Sequence, residues 1–213
     1  MDAAMSPWRG RLALLAAAVV LPAVLLATGM RQPVAAYERA FLTGQLLVAS
    51  PSMADRRFEQ AVILMVRHDR EGALGVRINR PLEERSVASL LESLGEKDTA
   101  ALAGSVRIFA GGPVQPEMGF VIHSDDYHRP RTIDLDAHLA VTSNRDILRD
   151  IGMNKGPAKS LIAFGYAGWA AGQLEGEIEH GAWVTAPADA RLVFDLDREK
   201  VWEEATKRRT QDL

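Results

Sequence analysis

The sequence predicts a domain of the α+β class, and three observations support this class. Short apolar runs rich in β-branched residues recur along the chain, and two of them are separated by a loop of hairpin length. Segments in which apolar residues recur at helical spacing lie between these runs at irregular intervals, unlike a regular strand–helix alternation. The composition, 47% hydrophobic and 25% charged, is that of a globular protein, and the absence of cysteine excludes disulfides and cysteine-bound metals.

The first half of the domain is expected to contain a β-hairpin. Residues 61–67 form an uninterrupted apolar run, and residues 73–79 resume it after the polar loop 68–72. Pro81 ends the second strand of this hairpin, because the residue before a proline is restricted to extended conformations. An earlier apolar run at 44–50 predicts a further strand.

Two short helices are predicted from the signals at their ends. The first has Ser86 as its N-cap and Gly95 as its C-terminal stop, with apolar residues at helical spacing between them. The second begins at the N-cap Ser143, where Asp146 completes a variant of the capping box, and it is closed by Gly152.

The remaining elements continue this irregular order. Strands are predicted at 106–114, 119–124, 139–142, 160–166 and 182–187. Helices are predicted within 170–181 and at 195–209. The last of these starts with acidic residues and ends with basic ones, as the helix dipole favours.

The first 36 residues differ from the rest of the chain. Arg9 and Arg11 precede an apolar run at 12–30 of 19 uncharged residues, close to the roughly 20 that a helix needs to cross a bilayer. We therefore expect an apolar helix that acts as a signal peptide or membrane anchor over 1–36, followed by a globular domain at 37–213. The chain would then be membrane-associated or exported, with membrane contact through the apolar run. The alternative is a start codon assigned too far upstream, so that this run is not translated.

The charge of the domain argues against direct nucleic-acid binding. Residues 1–36 contain three arginines and one aspartate, so 22 basic and 27 acidic side chains remain, a net charge of −5. Proteins that bind nucleic acid normally carry a basic patch, whereas here a basic cluster occurs only at 207–209, near the end of the chain. A regulator of transcription with this charge would act indirectly.

Three segments, at 68–81, 111–123 and 165–183, resemble the YqgE/AlgH family in order and spacing. They read HDREGALGVRINRP, GGPVQPEMGFVIH and GYAGWAAGQLEGEIEHGAW, and the likeness runs from about Gly44 to the last predicted helix. The resemblance implies a single bacterial domain with a bifurcated mixed β-sheet, part of it barrel-like, packed by helices. It also implies a poorly defined function, which one member's name links to regulation of alginate synthesis. Family members begin near the equivalent of Leu42, so the resemblance favours a cytoplasmic protein, and the apolar leader departs from it.

The third of these segments combines glycines, tryptophans and glutamates. Gly165 and Gly168 are expected to bracket a turn from a strand to a helix, where free backbone N–H groups would suit an anion. Glu175 and Glu177 fall in the first turns of the following helix, however, and would repel an anion. The tryptophans are expected to pack over the sheet, with their indole N–H groups bonded to a carbonyl or a glutamate.

Three loops, at 68–72, 111–113 and 165–173, are expected to border one cleft. Near it, Asn79 and Arg80 would present an amide and a guanidinium to a carboxylate, although an asparagine before Arg-Pro equally predicts a turn cap. The candidate ligand-binding residues are His68, Gly72, Asn79, Arg80, Gly111, Gly112, Pro113, His123, Tyr166, Gly168, Trp169, Gln173 and Glu177.

The sequence favours a non-enzymatic regulatory or binding module, with a protein or a small ligand as its partner. Walker, Rossmann and nucleophile-elbow motifs are absent, so no cofactor is predicted and no catalytic residue is assigned. The alternative is a metal-assisted hydrolase in which His68 and His123, each at the end of a predicted strand, converge with a carboxylate. Hydrogen bonds to the backbone in turns explain the two histidines more simply.

Overall fold

The computed structural model describes residues 41–210, which contain ten β-strands and four α-helices. The strands are β1 (Leu46–Ala49), β2 (Val62–Asp69), β3 (Gly72–Arg77), β4 (Pro81–Ser86), β5 (Ser105–Ala110), β6 (Val114–Ser124), β7 (Ile133–Leu135), β8 (Leu139–Thr142), β9 (Ser160–Ala170) and β10 (Trp183–Ala186). The helices are α1 (Val87–Ser93), α2 (Asp146–Gly152), α3 (Gln173–Glu179) and α4 (Val201–Lys207), with shorter helical turns at Arg56–Phe58, Arg191–Asp195 and Arg198–Lys200.

The predicted apolar helix, and with it the predicted signal peptide or anchor at 1–36, lies outside the described residues. Within residues 41–210, no helix is long and apolar enough to cross a membrane.

The ten strands form one sheet, in the order β10-β1-β2-β3-β9-β6-β8-β7, with β5 and β4 branching from β9. Strand β5 runs parallel to β9, and the other pairings are antiparallel. The sheet curls as a half-barrel, and helices pack on it. These features confirm the predicted α+β class and the mixed, partly barrel-like sheet, and the predicted hairpin is formed by β2 and β3.

The sheet forks at β9. Residues Ile162, Ala163 and Phe164 pair with β5 on one edge of β9 and with β6 on the other edge. From Ala167 to Ala170, β9 pairs with β3 instead. One strand therefore serves two branches of the sheet, which accounts for the bifurcation that the family resemblance implies.

Gly165 is the residue at which β9 passes from one branch to the other. Before it, Leu161 and Ala163 contribute to the central core; beyond it, Tyr166 packs against that core and Ala167 contributes to a different one. Alternate residues of a strand face the same side, so the side of β9 that faces the central core switches from odd-numbered to even-numbered residues at Gly165. This switch requires an unusual backbone conformation. Gly165 provides it with a φ of +76°, which residues with a Cβ rarely adopt.

Strand β9 is longer than the sequence pattern predicts. The prediction that Gly165 and Gly168 bracket a turn to a helix is wrong, because both glycines lie inside β9. The turn comes later, at Gly172, which adopts a left-handed conformation with a φ of +74° before α3 begins.

Three hydrophobic cores result from the fork. The central core receives buried side chains from β1, β2, β3, β6, β9 and α4. A second core lies under α3 and includes Trp169, Leu174 and Trp183. A third core lies under α1 and α2 and includes Val121 and Ile162. Because β9 contributes to all three cores, it connects the packing of the whole domain.

Gly111 and Gly112 carry the chain across the face of β9, from β5 on one edge to β6 on the other. The Gly111 N–H donates to the Phe164 carbonyl at 2.7 Å. A Cβ atom on Gly112 would lie 2.0 Å from the carbonyl carbon of Tyr166. A Cβ atom on Gly111 would lie 2.2 Å from the carbonyl oxygen of Gly165. This glycine crossing, as we call it below, therefore has no room for any larger residue.

Helix α1 confirms both of its predicted ends. The Ser86 hydroxyl accepts the N–H of Ser89 at 3.1 Å, as an N-cap side chain does. Gly95 follows the helix with a φ of +86°, and the Glu96 N–H donates to the Leu91 carbonyl at 3.0 Å. These bonds form a Schellman motif, in which glycine is the preferred left-handed residue.

Helix α2 forms where it is predicted but has different caps. The Asn144 side chain, and not Ser143, accepts the N–H of Asp146 at 3.0 Å. Asn154, and not Gly152, adopts the left-handed conformation that ends the helix, with a φ of +57°. Asparagine serves at both ends because its amide oxygen accepts a backbone N–H and its short side chain tolerates positive φ.

The sequence pattern misses strand β4. This strand pairs with β5 alone among the described strands, and its side chains are mostly exposed and charged. Charged residues and an initial proline are typical of edge strands, which lack the apolar alternation of half-buried ones. Strand β6 is also longer than predicted, since it begins at Val114 and is irregular between Val114 and Gly119.

The predicted helix at 195–209 is shorter in the structure, where α4 begins at Val201. The chain is extended at Leu196 because the buried Arg198 guanidinium binds backbone carbonyls just before it, including that of Val193 at 2.7 Å. These hydrogen bonds require the extended backbone at Leu196. An α-helix through these residues would break them.

We expect the substitution Gly112→Ala to lower the free energy of unfolding by about 3 kcal/mol or more, as a severe backbone overlap in a core does. Gly176→Ala in α3 is the control, because no atom lies within 4 Å of its added Cβ and alanine favours a helix by up to about 1 kcal/mol. Urea unfolding of both variants measures the difference. Equal midpoints for the two variants would show that the glycine crossing tolerates a side chain.

Candidate functional site

The three loops that the sequence places around one cleft contact β9 at two separate places. The predicted loop 68–72 is shorter in the structure, because β2 extends to Asp69 and β3 begins at Gly72, which pairs with Ala170 at the end of β9. The loop 111–113 crosses β9 at Tyr166. These two places are four residues, or about 13 Å, apart along the strand. The segments thus contact different parts of β9, and a binding role for their residues remains a prediction.

His68 has both ring nitrogens engaged inside the protein. Its Nδ1 accepts the N–H of Leu42 at 3.1 Å, which leaves the hydrogen of the neutral ring on Nε2. Nε2 then donates to Oε1 of Glu175 at 3.0 Å. The Phe41 ring contacts the histidine edge-on, with 5.3 Å between ring centroids. His68 thus joins the beginning of the described chain to helix α3.

His123 is fully buried in a chain of hydrogen bonds. Its Nδ1 donates to the Ser124 carbonyl at 2.8 Å, so the neutral ring accepts the Thr142 hydroxyl at Nε2, at 2.9 Å. The Thr142 oxygen lies 2.7 Å from the hydroxyl of Thr132. Burial lowers the pKa of His123 below its ordinary value, so the ring stays neutral near pH 7.

The two histidines lie at opposite ends of β9. His68 aligns through Ala73 with Trp169, whereas His123 pairs with Ser160. Nine residues of strand separate these two positions, or about 30 Å. Residues 41–210 also contain no group of three His, Cys, Asp or Glu side chains placed to hold a metal. The prediction of a metal site built on both histidines is wrong.

Glu177 explains the tryptophans and glutamates of the segment at 165–183. Its Oε2 accepts the indole N–H of Trp169 at 2.9 Å and that of Trp183 at 2.8 Å. Its Oε1 accepts the side-chain amide of Gln173 at 2.8 Å. The prediction that the indoles bond to a glutamate is confirmed. These contacts, together with the bond from His68 to Glu175, fasten α3 to the sheet.

The Asn79 side chain bonds across to the start of β2 and does not cap its own turn, although one of its two interpretations expected this. Its side-chain oxygen accepts the Val62 N–H at 3.0 Å, and its amide donates to the Gln60 carbonyl at 2.7 Å. The backbone of Arg80 accepts the Ala110 N–H at 2.9 Å. The side-chain oxygen and amide of Asn79 are both used to hold strand ends together. Its amide is therefore not presented to a ligand.

Tyr166, Gly168 and Pro113 belong to the packing around the crossing. The Tyr166 ring packs edge-on against Phe120, with 6.1 Å between centroids. A Cβ atom on Gly168 would lie 3.2 Å from the Tyr166 ring, so the missing side chain makes room for the ring. Pro113 follows the two crossing glycines and precedes β6.

A cavity of about 390 Å³, here called the apolar groove, lies between the sheet and the helices α1 and α2. Volumes of this size are typical of small-molecule sites. Strands β3, β6 and β9, Leu94 just after α1 and Leu148 of α2 supply its apolar lining, and the segment between β8 and α2 supplies polar side chains. The lining residues are Leu74, Leu94, Glu117, Met118, Gly119, Phe120, Val121, Thr142, Ser143, Asn144, Arg145, Leu148, Ile162 and Phe164.

A second cavity of about 430 Å³, here called the polar hollow, adjoins the groove. The two share Ser143, Asn144 and Arg145 as a common wall. The other residues of the hollow are Glu96, Pro130, Arg131 and Asp146.

Sequence reasoning missed the apolar groove. Its lining comes from five separate segments, and each of them has an ordinary pattern of a strand, a helix end or a loop. One available signal was Met118, an apolar side chain in the polar stretch 115–118, which is 41% exposed. Among the predicted site residues, His123 is connected to the groove through the hydrogen bond with Thr142.

The fold defines a class of small α+β domains, in which short helices pack on one forked half-barrel sheet. The sequence pattern of the AlgH-like family matches residues 46–213. The chain belongs to this family, as the resemblance predicted.

Several relatives support the assignment. A UPF0301 protein of Rhodospirillum rubrum is 46% identical over 155 residues, which cover 73% of this chain and 80% of the relative. The solution structure of the AlgH protein from Pseudomonas aeruginosa is 41% identical and matches with a TM-score of 0.67 over 79% of this chain and 89% of that one. A crystal structure of a Corynebacterium diphtheriae protein, 24% identical, shares the fold with a TM-score of 0.62 over 80% and 88% of the two chains. None of these names states an activity.

We expect the substitution Glu177→Gln to lower the free energy of unfolding by about 1–3 kcal/mol. An amide has one accepting oxygen, so it cannot serve both the two indole N–H groups and the Gln173 amide, and the charge that strengthens these hydrogen bonds is lost. Glu179→Gln, in the same helix but on its exposed side, should change the free energy of unfolding by less than about 0.5 kcal/mol. Thermal unfolding followed by tryptophan fluorescence measures both. Equal effects would mean that Glu177 does not hold α3 in place.

The buried His123 makes stability depend on pH. Because its pKa is lower in the folded than in the unfolded chain, the unfolded state binds more protons, and stability is lost as the pH falls through and below the ordinary value of 6.5. Nearby Asp126 and Asp134 oppose this shift and His128 adds to it. Urea unfolding at pH 7.5 and 5.5 should show a larger loss for the native chain than for His123→Gln. An NMR titration of the His123 ring that gives a pKa above 6.5 would contradict the expectation.

Proposed function

We propose that this protein is a non-enzymatic binding module whose apolar groove takes a small ligand with an apolar body. The observation that carries the proposal is the groove itself, a cavity of about 390 Å³ lined mainly by apolar side chains, with a few polar groups at one side. Apolar pockets with a few converging polar groups are the usual form of a ligand site.

One further feature supports a small ligand. Met118 is 41% exposed, and methionine side chains adapt to varied apolar shapes. A ligand would therefore cover apolar surface that is now in contact with water, which is favourable by about 25 cal/mol for each Å².

The hydrogen bonds of the two histidines favour a binding role over catalysis. The ring nitrogens of His68 and His123 are all bonded within the protein, and His123 has no exposed surface. A general base must come within hydrogen-bond reach of its substrate, which these rings do not offer in this conformation. Any effect on gene expression would follow indirectly, from a partner that responds to the bound ligand.

A neutral fluorescent probe, N-phenyl-1-naphthylamine, tests the proposal. We expect saturable binding of about one probe per chain. Met118→Glu should weaken it about tenfold, because a charge placed in an apolar site costs more than about 1.4 kcal/mol when a ligand removes its water.

Met153→Glu is a matched control, because Met153 is also 41% exposed and does not line the groove. This variant should bind the probe as the native chain does. Absence of saturable binding, or equal weakening by both variants, would overturn the proposal.

A further inference from the structure

The polar hollow contains two arginine side chains, Arg131 and Arg145. Arg145 donates from Nη1 to the Leu94 carbonyl at 3.0 Å, and within residues 41–210 neither Arg145 nor Arg131 forms an ion pair. Both side chains are exposed, so their remaining N–H groups are open to a ligand. An arginine presents its donors as a planar fork that matches a carboxylate.

The acidic residues of the hollow only partly offset this charge. Glu96 is paired with Arg149 at 3.3 Å, outside the lining of the hollow. Asp146 accepts the side-chain amide of Asn144 at 3.2 Å and remains the one carboxylate facing the two arginines. Among the lining residues that the structure describes, an excess of positive charge is therefore left. Glu117 lines the apolar groove but not the hollow.

We infer that the ligand is a single-chain amphiphile with a carboxylate head, whose chain occupies the apolar groove and whose head lies in the polar hollow beside Arg131 and Arg145. Ser143, Asn144 and Arg145 line both cavities, so a chain in the groove would bring its head to the edge of the hollow. This inference rests on the proposed function and adds the chemical class of the ligand to it.

Calorimetric titration of the full chain with decanoate and with decanol, at pH 8 and below their aggregation limits, tests the inference. The two compounds have the same chain length and differ in the charge of the head. We expect decanoate to bind about tenfold more tightly, since hydrogen bonds to charged groups contribute this much or more. Added salt should reduce the difference, because the arginines are exposed.

The double substitution Arg131→Gln with Arg145→Gln should remove the advantage of decanoate and leave the binding of decanol unchanged. Arg209→Gln, an exposed arginine outside both cavities, is the control and should preserve the advantage. Circular dichroism verifies that the variants are folded.

The outcomes separate the two proposals. If decanol and the neutral probe bind but decanoate has no advantage, or the advantage survives the double substitution, the carboxylate assignment is overturned and the groove stands. If decanoate, decanol and the neutral probe all fail to bind, the proposed function is overturned together with the inference.

Discussion

The domain depends on the direct contact of two backbones at the glycine crossing. When a strand pairs on both edges, the segment that connects its two partners normally does not touch its backbone. Here Gly111 and Gly112 pass across the face of β9, at distances that leave no room for a Cβ atom. This contact lets β5 and β6 flank the same three residues of β9 although few residues connect them. The fork, and through it all three cores, follows from that contact.

The groove is a consequence of the same fork. Because β6 must rejoin β9 after the crossing, it is irregular between Val114 and Gly119 and makes no regular pairs there. Glu117, Met118 and Gly119 at the end of this irregular part line the groove, beside Leu94 and Leu148 from the helical layer. The glycine crossing, which constrains the fold most tightly, is thus also linked to the shape of the groove.

Local chemistry was predictable from the sequence, whereas long-range assembly was not. The Ser86 cap, the Gly95 stop and the β2–β3 hairpin depend on a few neighbouring residues, and all of them form as predicted. Strand β4 was missed because its side chains are charged and exposed on both faces, which gives no alternation to detect. The two glycine segments, 111–113 and 165–173, were predicted as loops beside one cleft, and nothing in either of them shows that it packs against the other. The groove was missed for the same reason, since its lining is dispersed from Leu74 to Phe164.

The shared strand has a consequence for how the chain acquires its structure during synthesis. Strands β3, β5 and β6 are all made before β9, yet each of them needs β9 as a neighbour. The chain must be synthesised as far as Ala170 before the sheet can close, and until then the β2–β3 hairpin has one uncovered edge. Folding of this domain should therefore be late and nearly all at once, with most of the polypeptide already synthesised when the native order appears.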